Sequence, residues 1–193
     1  MRAPRAAAEE IAGFVESKRE WILKALQKIK AHLPAKKYFV EGEEFFYLGK
    51  AYPLRLVNKQ LRGVVFKDAF YLPSSLQAKA KQLLEKWYKN EAKEFLQQRL
   101  GFYTEAMGVH HKGMKITSAS SRWGSCSAKG NINFSFRLIM APMEVIDYVV
   151  VHELAHLAHK NHSQNFWAVV AQFAPQFKPA RKWLNRQGHL LQI

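Results

Sequence analysis

Val145-Ile146-Asp147-Tyr148-Val149-Val150-Val151-His152-Glu153-Leu154-Ala155-His156-Leu157-Ala158 spells a helix that is apolar nearly all round, interrupted by two imidazoles and two acids. A helix of that kind is buried. Its His152, Glu153 and His156 are then expected largely out of water, at a cost of roughly 1–3 kcal/mol or more per group unless each finds a partner. Positions four apart on an α-helix lie about 40° apart around the axis and about 6 Å along it, so both imidazoles can face one cation while Glu153 flanks it. With 8 histidines in 193 residues, shuffling produces His-Glu-x-x-His only about 0.02 times per chain. The spacing and its apolar setting therefore point to a metal, a water and a base rather than to ordinary core histidines.

A hydrolytic zinc commonly takes three protein ligands and leaves a fourth position for water, so a third ligand must come from outside the pair. His159 shares the face of His156 but lies further along the axis, and three ligands on one straight helix wrap a tetrahedral ion poorly. His162 is better placed if the helix ends near Lys160 and Asn161, with Asn161 supplying a left-handed turn. Ser163 is then expected to cap a following helix whose Phe166, Trp167, Val170 and Phe173 recur at three-to-four spacing. On that reading His159 faces solvent or supports another ligand from behind.

The rest of the chain sets the frame for this helix. A length of 193 residues with 48% hydrophobic content suffices for one good core, or for a small appendage packed on a catalytic domain, and one compact unit is expected. The start of the chain shows no apolar leader segment, and no stretch approaches the roughly 18 apolar residues of a membrane span, which leads to a cytoplasmic expectation. One cysteine, Cys126, permits no intrachain disulfide and suits a reducing compartment. The net charge is +15, with 20 basic against 12 acidic residues up to His110 and 10 against 3 from His111 onward. Glu153 thus sits in a positive field, which suits anionic partners, whether phosphates, nucleic acid or acidic peptides, and equally suits lysine-rich helix faces that only keep the protein soluble. The sequence carries no sign of oligomeric state.

From Ala7 to Leu33 the spacing of Ile11, Phe14, Val15, Ile22, Leu26, Ile29 and Leu33 predicts an amphipathic helix closed by Pro34. Between residues 38 and 72, short aromatic and β-branched runs separated by turn residues predict a small antiparallel meander. Pro73-Ser74-Ser75 opens a long helix that reaches toward Gly108. Ile132, Phe134, Phe136 and Leu138 alternate with polar residues, which predicts a half-buried strand over 131–138, paired through a hairpin at Ala128-Lys129-Gly130 with residues 115–126. Alternation of this kind suits an edge strand and equally an interior strand whose polar face meets a helix or solvent. A soft boundary near Pro73 divides an N-terminal helix and meander, 1–73, from a catalytic part, 74–193.

Several of these segments together resemble the YgjP-like zinc metallopeptidases, relatives of the SprT-like proteases and minimal gluzincins. The resemblance rests on Arg122-Trp123-Gly124-Ser125-Cys126-Ser127, on Gly130-Asn131-Ile132-Asn133 leading to Leu138-Ile139-Met140-Ala141-Pro142, on His152 to His156, and on Asn161-His162-Ser163 followed by Phe166-Trp167. It is close over residues 114–170 and general before them. It implies an α+β fold with a zincin-like core, a small antiparallel sheet and an active-site helix. It also implies one Zn2+ held by His152, His156 and His162, with Glu153 as general base acting on a peptide or protein substrate, and an edge strand near the metal that pairs with an extended substrate, for which 131–138 is the candidate. Two rivals share the composition: a metal-dependent phosphoanhydride hydrolase acting on nucleotides, and a basic nucleic-acid-associated protein with a structural metal site. The second leaves Glu153 without a task, because structural zinc is usually closed by four ligands.

Overall fold

The computed structural model describes residues 8–24 and 36–193, which fall into two units, one within Met1–Ala35 and one spanning Lys36–Ile193. In the first, α1 (Ala8–Ser17) ends where Ser17 Oγ donates to the Phe14 carbonyl, and residues 19–24 are helical again after a turn at Lys18. The single helix expected over 7–33 is thus broken at Lys18. Its residues Ala7 and 25–33, with Pro34, lie outside the described residues. Phe14, Val15 and Trp21 are exposed.

The second unit is α+β. Its first sheet contains β1 (Glu44–Tyr47), β2 (Lys50–Val57), β3 (Val65–Phe66) and β4 (Phe70–Pro73) in the order β1-β2-β4-β3. Aromatic and β-branched runs supply these strands as expected, but β2 and β4 run parallel, because residues 58–64 cross over instead of folding straight back. Leu48 and Gly49 turn the β1–β2 hairpin with φ of 47° and 81°. The tip docks by backbone hydrogen bonds from Leu48 to the Ile139 carbonyl and from Gly49 to the Met140 carbonyl. A Cβ on Gly49 would stand 2.9 Å from Pro142, the residue that opens the histidine-bearing helix, so glycine permits both the left-handed turn and the approach.

A 3-10 stretch (Ser74–Lys79) leads into α2 (Ala80–Met107), which Gly108 terminates in the left-handed conformation at φ 63°. Ala80, Leu84, Tyr88, Ala92, Leu96 and Leu100 form its buried stripe at four-residue spacing. Tyr88 donates to the Phe46 carbonyl at 2.7 Å, tying helix to hairpin. Arg99 grips Asp147 through two bonds of 2.7 and 2.9 Å, tying α2 to the helix that follows the second sheet.

That second sheet contains β5 (Gly113–Thr117), β6 (Gly124–Cys126) and β7 (Asn131–Ser135) in the order β5-β7-β6. The hairpin through Ser127–Gly130 pairs β6 with β7 antiparallel, whereas β5 pairs with β7 in parallel, so this sheet is also mixed. Two expectations are corrected here. The strand stops at Ser135, whose hydroxyl accepts from the Arg137 amide and starts a 3-10 turn over Phe136–Met140. And β7 is the central strand, which leaves β5 and β6 as the two edges. Ile132 and Phe134 on β7 point into one continuous core with Leu96, Ile146, Val150 and Leu154. The chain closes with α3 (Met143–Ala158), α4 (Gln164–Phe173), α5 (Phe177–Gln187) and a 3-10 turn over Gly188–Leu190.

Candidate metal centre

The apolar run around the histidine motif makes α3 a core helix: Val145, Ile146, Tyr148, Val149, Val150, Val151, Leu154 and Ala155 are all buried. It ends at His159, which is extended at φ −124° and ψ 104°. The expected turn is there, but Asn161 does not adopt the left-handed conformation; the extended His159 suffices to swing the chain off the helix axis. Ser163 then caps α4, accepting from the Phe166 amide at 3.4 Å. His162 consequently stands at the corner between the two helices.

The corner brings His152, His156 and His162 together, with one ring nitrogen from each lying within 4.8 Å of the others. The Nε2 atoms of His152 and His162 are 3.1 Å apart. Two nitrogens bound at about 2.1 Å to one tetrahedral ion stand about 3.4 Å apart, so the donor set fits a zinc-sized cation. Phe166, fully buried, floors the cluster with its ring 4.9, 4.6 and 4.7 Å from the rings of His152, His156 and His162. Trp167 stacks on His162 at 5.6 Å.

Protonation favours the same use. Burial, reinforced by His156 and His162, lowers the pKa of His152 to about 4, so its ring is neutral at physiological pH, as a ligand must be. His162 is lowered as well, first by burial and then by His156 and Arg181. His156 Nδ1 lies 3.0 Å from the His159 carbonyl, which can accept only if that nitrogen carries the proton. That bond occupies Nδ1 and leaves Nε2 as the ring nitrogen available to an ion. His159 therefore contributes its backbone, not its imidazole, to the cluster.

Glu153 is 6% exposed and packs against the edge strand β6. Burial raises its pKa from 4.5 to about 7, on the order of 3 kcal/mol against the charged form. A Cβ on Gly124 would lie 2.6 Å from both Cγ and Oε1 of Glu153, so the carboxylate occupies space that only a glycine leaves open. The neighbouring Trp123 is seated against Gly188, whose added Cβ would meet its ring at 2.7 Å. Gly124 is the residue that reading the sequence missed; an isolated glycine inside a strand was the available signal.

Other polar side chains of the second sheet, of the loop before it and of the turn after it have partners of their own. Arg137 donates to the carbonyls of Ser118 and Ala119 at 2.8 and 3.4 Å, and Asn133 donates to Ser125 Oγ at 3.2 Å. His111 contacts Thr104, away from the three-histidine cluster. Cys126 is half-buried on β6, and burial raises its pKa, which makes it a poor nucleophile. No helix among the described residues is long and apolar enough to cross a membrane.

Among solved structures, the metallopeptidase zymogen abylysin of Pyrococcus abyssi is similar at 23% identity and a TM-score of 0.41. The jannalysin zymogen of Methanocaldococcus jannaschii is similar at 14% identity and a TM-score of 0.44. Each similarity covers 48% of this chain and 95% of the other. No curated protein matches the chain. A family model described as "YgjP-like, metallopeptidase domain" matches residues 1–187, which take in the three histidines, the buried glutamate and the strand against it. A metal-dependent hydrolase is what such a cluster is built for, and the chain belongs to the YgjP-like metallopeptidase family.

Proposed function

We propose that the protein is a zinc peptidase in which His152, His156 and His162 hold a single ion and Glu153 is the general base. The observation that carries this reading is the convergence of three imidazoles beside a buried carboxylate whose pKa is about 7. Zinc in such a site supplies Lewis acidity, which makes a water acidic near neutral pH and polarises a carbonyl oxygen.

The chain's own residues do the rest. Glu153, with a pKa close to the working pH, accepts the proton of the attacking water and delivers it to the leaving amine. The apolar floor at Phe166 shields the inner side of the site, where Glu153 is buried, and strengthens electrostatic contacts there, while His162 stays exposed on the open side. Of the two edge strands, β6 is the one whose Gly124 touches Glu153, so an extended substrate pairs along Gly124–Cys126 by backbone hydrogen bonds, in place of the strand expected from the sequence. The peptide substrate separates this reading from the nucleotide and structural-metal rivals. The single half-buried thiol of Cys126 suits work in the reducing cytoplasm.

Glu153→Gln keeps the shape of the site and removes the base. The variant is expected to retain stoichiometric zinc by elemental analysis and to hydrolyse unfolded protein about 10²–10⁴-fold more slowly than the wild type. Undiminished hydrolysis, or a wild type that leaves unfolded protein intact while hydrolysing nucleoside triphosphates, overturns the proposal.

A further inference from the structure

A groove of about 710 Å³ opens beside the histidine cluster, lined by Trp167 from α4 and by Phe177, Lys178, Arg181, Lys182, Asn185 and Arg186 from α5. The α5 residues recur at three-to-four spacing, so they share one helix face. Four of them are exposed cations, and among the described residues none forms an ion pair. No Asp or Glu occurs anywhere after Glu153 in the sequence, so α5 has no local acid to neutralise it. The Arg181 guanidinium sits 5.4 Å over the Trp167 ring, and that ring stacks on His162. Together these contacts put Arg181 no more than about 11 Å from the His162 ring, a span of about three residues of extended chain.

We propose that this face of α5 is a specificity subsite for acidic polypeptide, receiving Asp or Glu side chains about three residues from the scissile bond. The proposal rests on the peptidase reading and names its substrate class. Carboxylates pair with the guanidinium groups of Arg181 and Arg186 in bidentate fashion and with Lys178 and Lys182 as point charges. A nucleic acid is the less suitable polyanion, because single strands are held largely by bases stacking on open aromatic faces. Here Trp167 is already engaged by His162, Phe177 and Arg181, and Phe177 is engaged by Trp167 and Lys178.

The test uses two fluorescein-labelled dodecapeptides that differ only in carrying six Glu or six Gln, measured by anisotropy with zinc-loaded wild type and with Arg181→Gln/Lys182→Gln/Arg186→Gln. Hydrolysis of the same pair is followed separately, with the fold of the variant checked by its zinc content and melting temperature. The wild type is expected to bind the Glu peptide about tenfold more tightly than the Gln peptide at low salt, and the variant to bring that ratio to about one. An equal ratio in the wild type, an unchanged ratio in the folded variant, or displacement of the Glu peptide by a twelve-nucleotide single strand that binds more tightly overturns the proposal. Selective binding without hydrolysis of either peptide counts against the peptidase reading alone, and hydrolysis without selectivity counts against the subsite alone.

Discussion

Gly124→Ala is expected to lower kcat by about 10²-fold while leaving the zinc content of the protein at that of the wild type, because displacing a catalytic group by about 1 Å is enough for such a loss. The new methyl group would start 2.6 Å from Cγ and Oε1 of Glu153 and 2.8 Å from Cδ, well inside the 3.5–4.0 Å at which non-bonded carbons rest. Neither backbone can give way easily, so the Glu153 side chain must. Glu153 is rooted on a helix buried on nearly every face, and β6 is held by its ladder to β7 and by Trp123 seated on Gly188. The carboxylate therefore rotates away from its working position, and because the nearest clashes are all with Glu153 the three histidines are expected to keep their geometry. In a Glu153→Gln background the same substitution should cost nothing further in kcat, since both changes remove one function. A kcat for Gly124→Ala within twofold of the wild type would separate Glu153 from the chemistry assigned to it.

The second large effect separates two histidines three residues apart. His162→Ala is expected to abolish stoichiometric zinc binding and with it hydrolysis, a greater loss than the roughly 10–100-fold in affinity that removal of an outer partner causes. His159→Ala is expected to keep zinc affinity within about threefold, because what His159 offers His156 is its backbone carbonyl at 3.0 Å, which alanine also has. Zinc affinity measured by competition with a chromophoric chelator checks both. Zinc lost in His159→Ala and kept in His162→Ala would place the third donor inside the helix.

Much of this arrangement was readable in the residues because its causes are local. A valine-rich run dictates a buried helix at Met143–Ala158, and a cap at Ser163 starts the next one, so the corner that carries His162 follows from short-range rules. The strand directions were not readable in that way. The parallel pairs β2–β4 and β5–β7 join segments that no tight turn connects, and alternation along 131–138 says that one face is buried without saying what lies on either side. The role of Gly124 was hidden for the same reason: its partner Glu153 is 29 positions away, and only the assembled fold brings them within contact. Arg181 belongs with it, since its value lies in Trp167 and His162 beneath it and not in its own neighbours along the chain.

The claim that everything else depends on is one zinc held by three imidazoles with a fourth position open to water. X-ray absorption at the zinc edge of the purified, zinc-loaded protein reads that directly. The expected spectrum has four nitrogen or oxygen neighbours at about 2.0–2.1 Å, three of them showing the outer-shell scattering of imidazole, at one zinc per chain. A sulfur neighbour at about 2.3 Å, which Cys126 alone among the thiols could supply, or a site closed by four protein ligands, would contradict it.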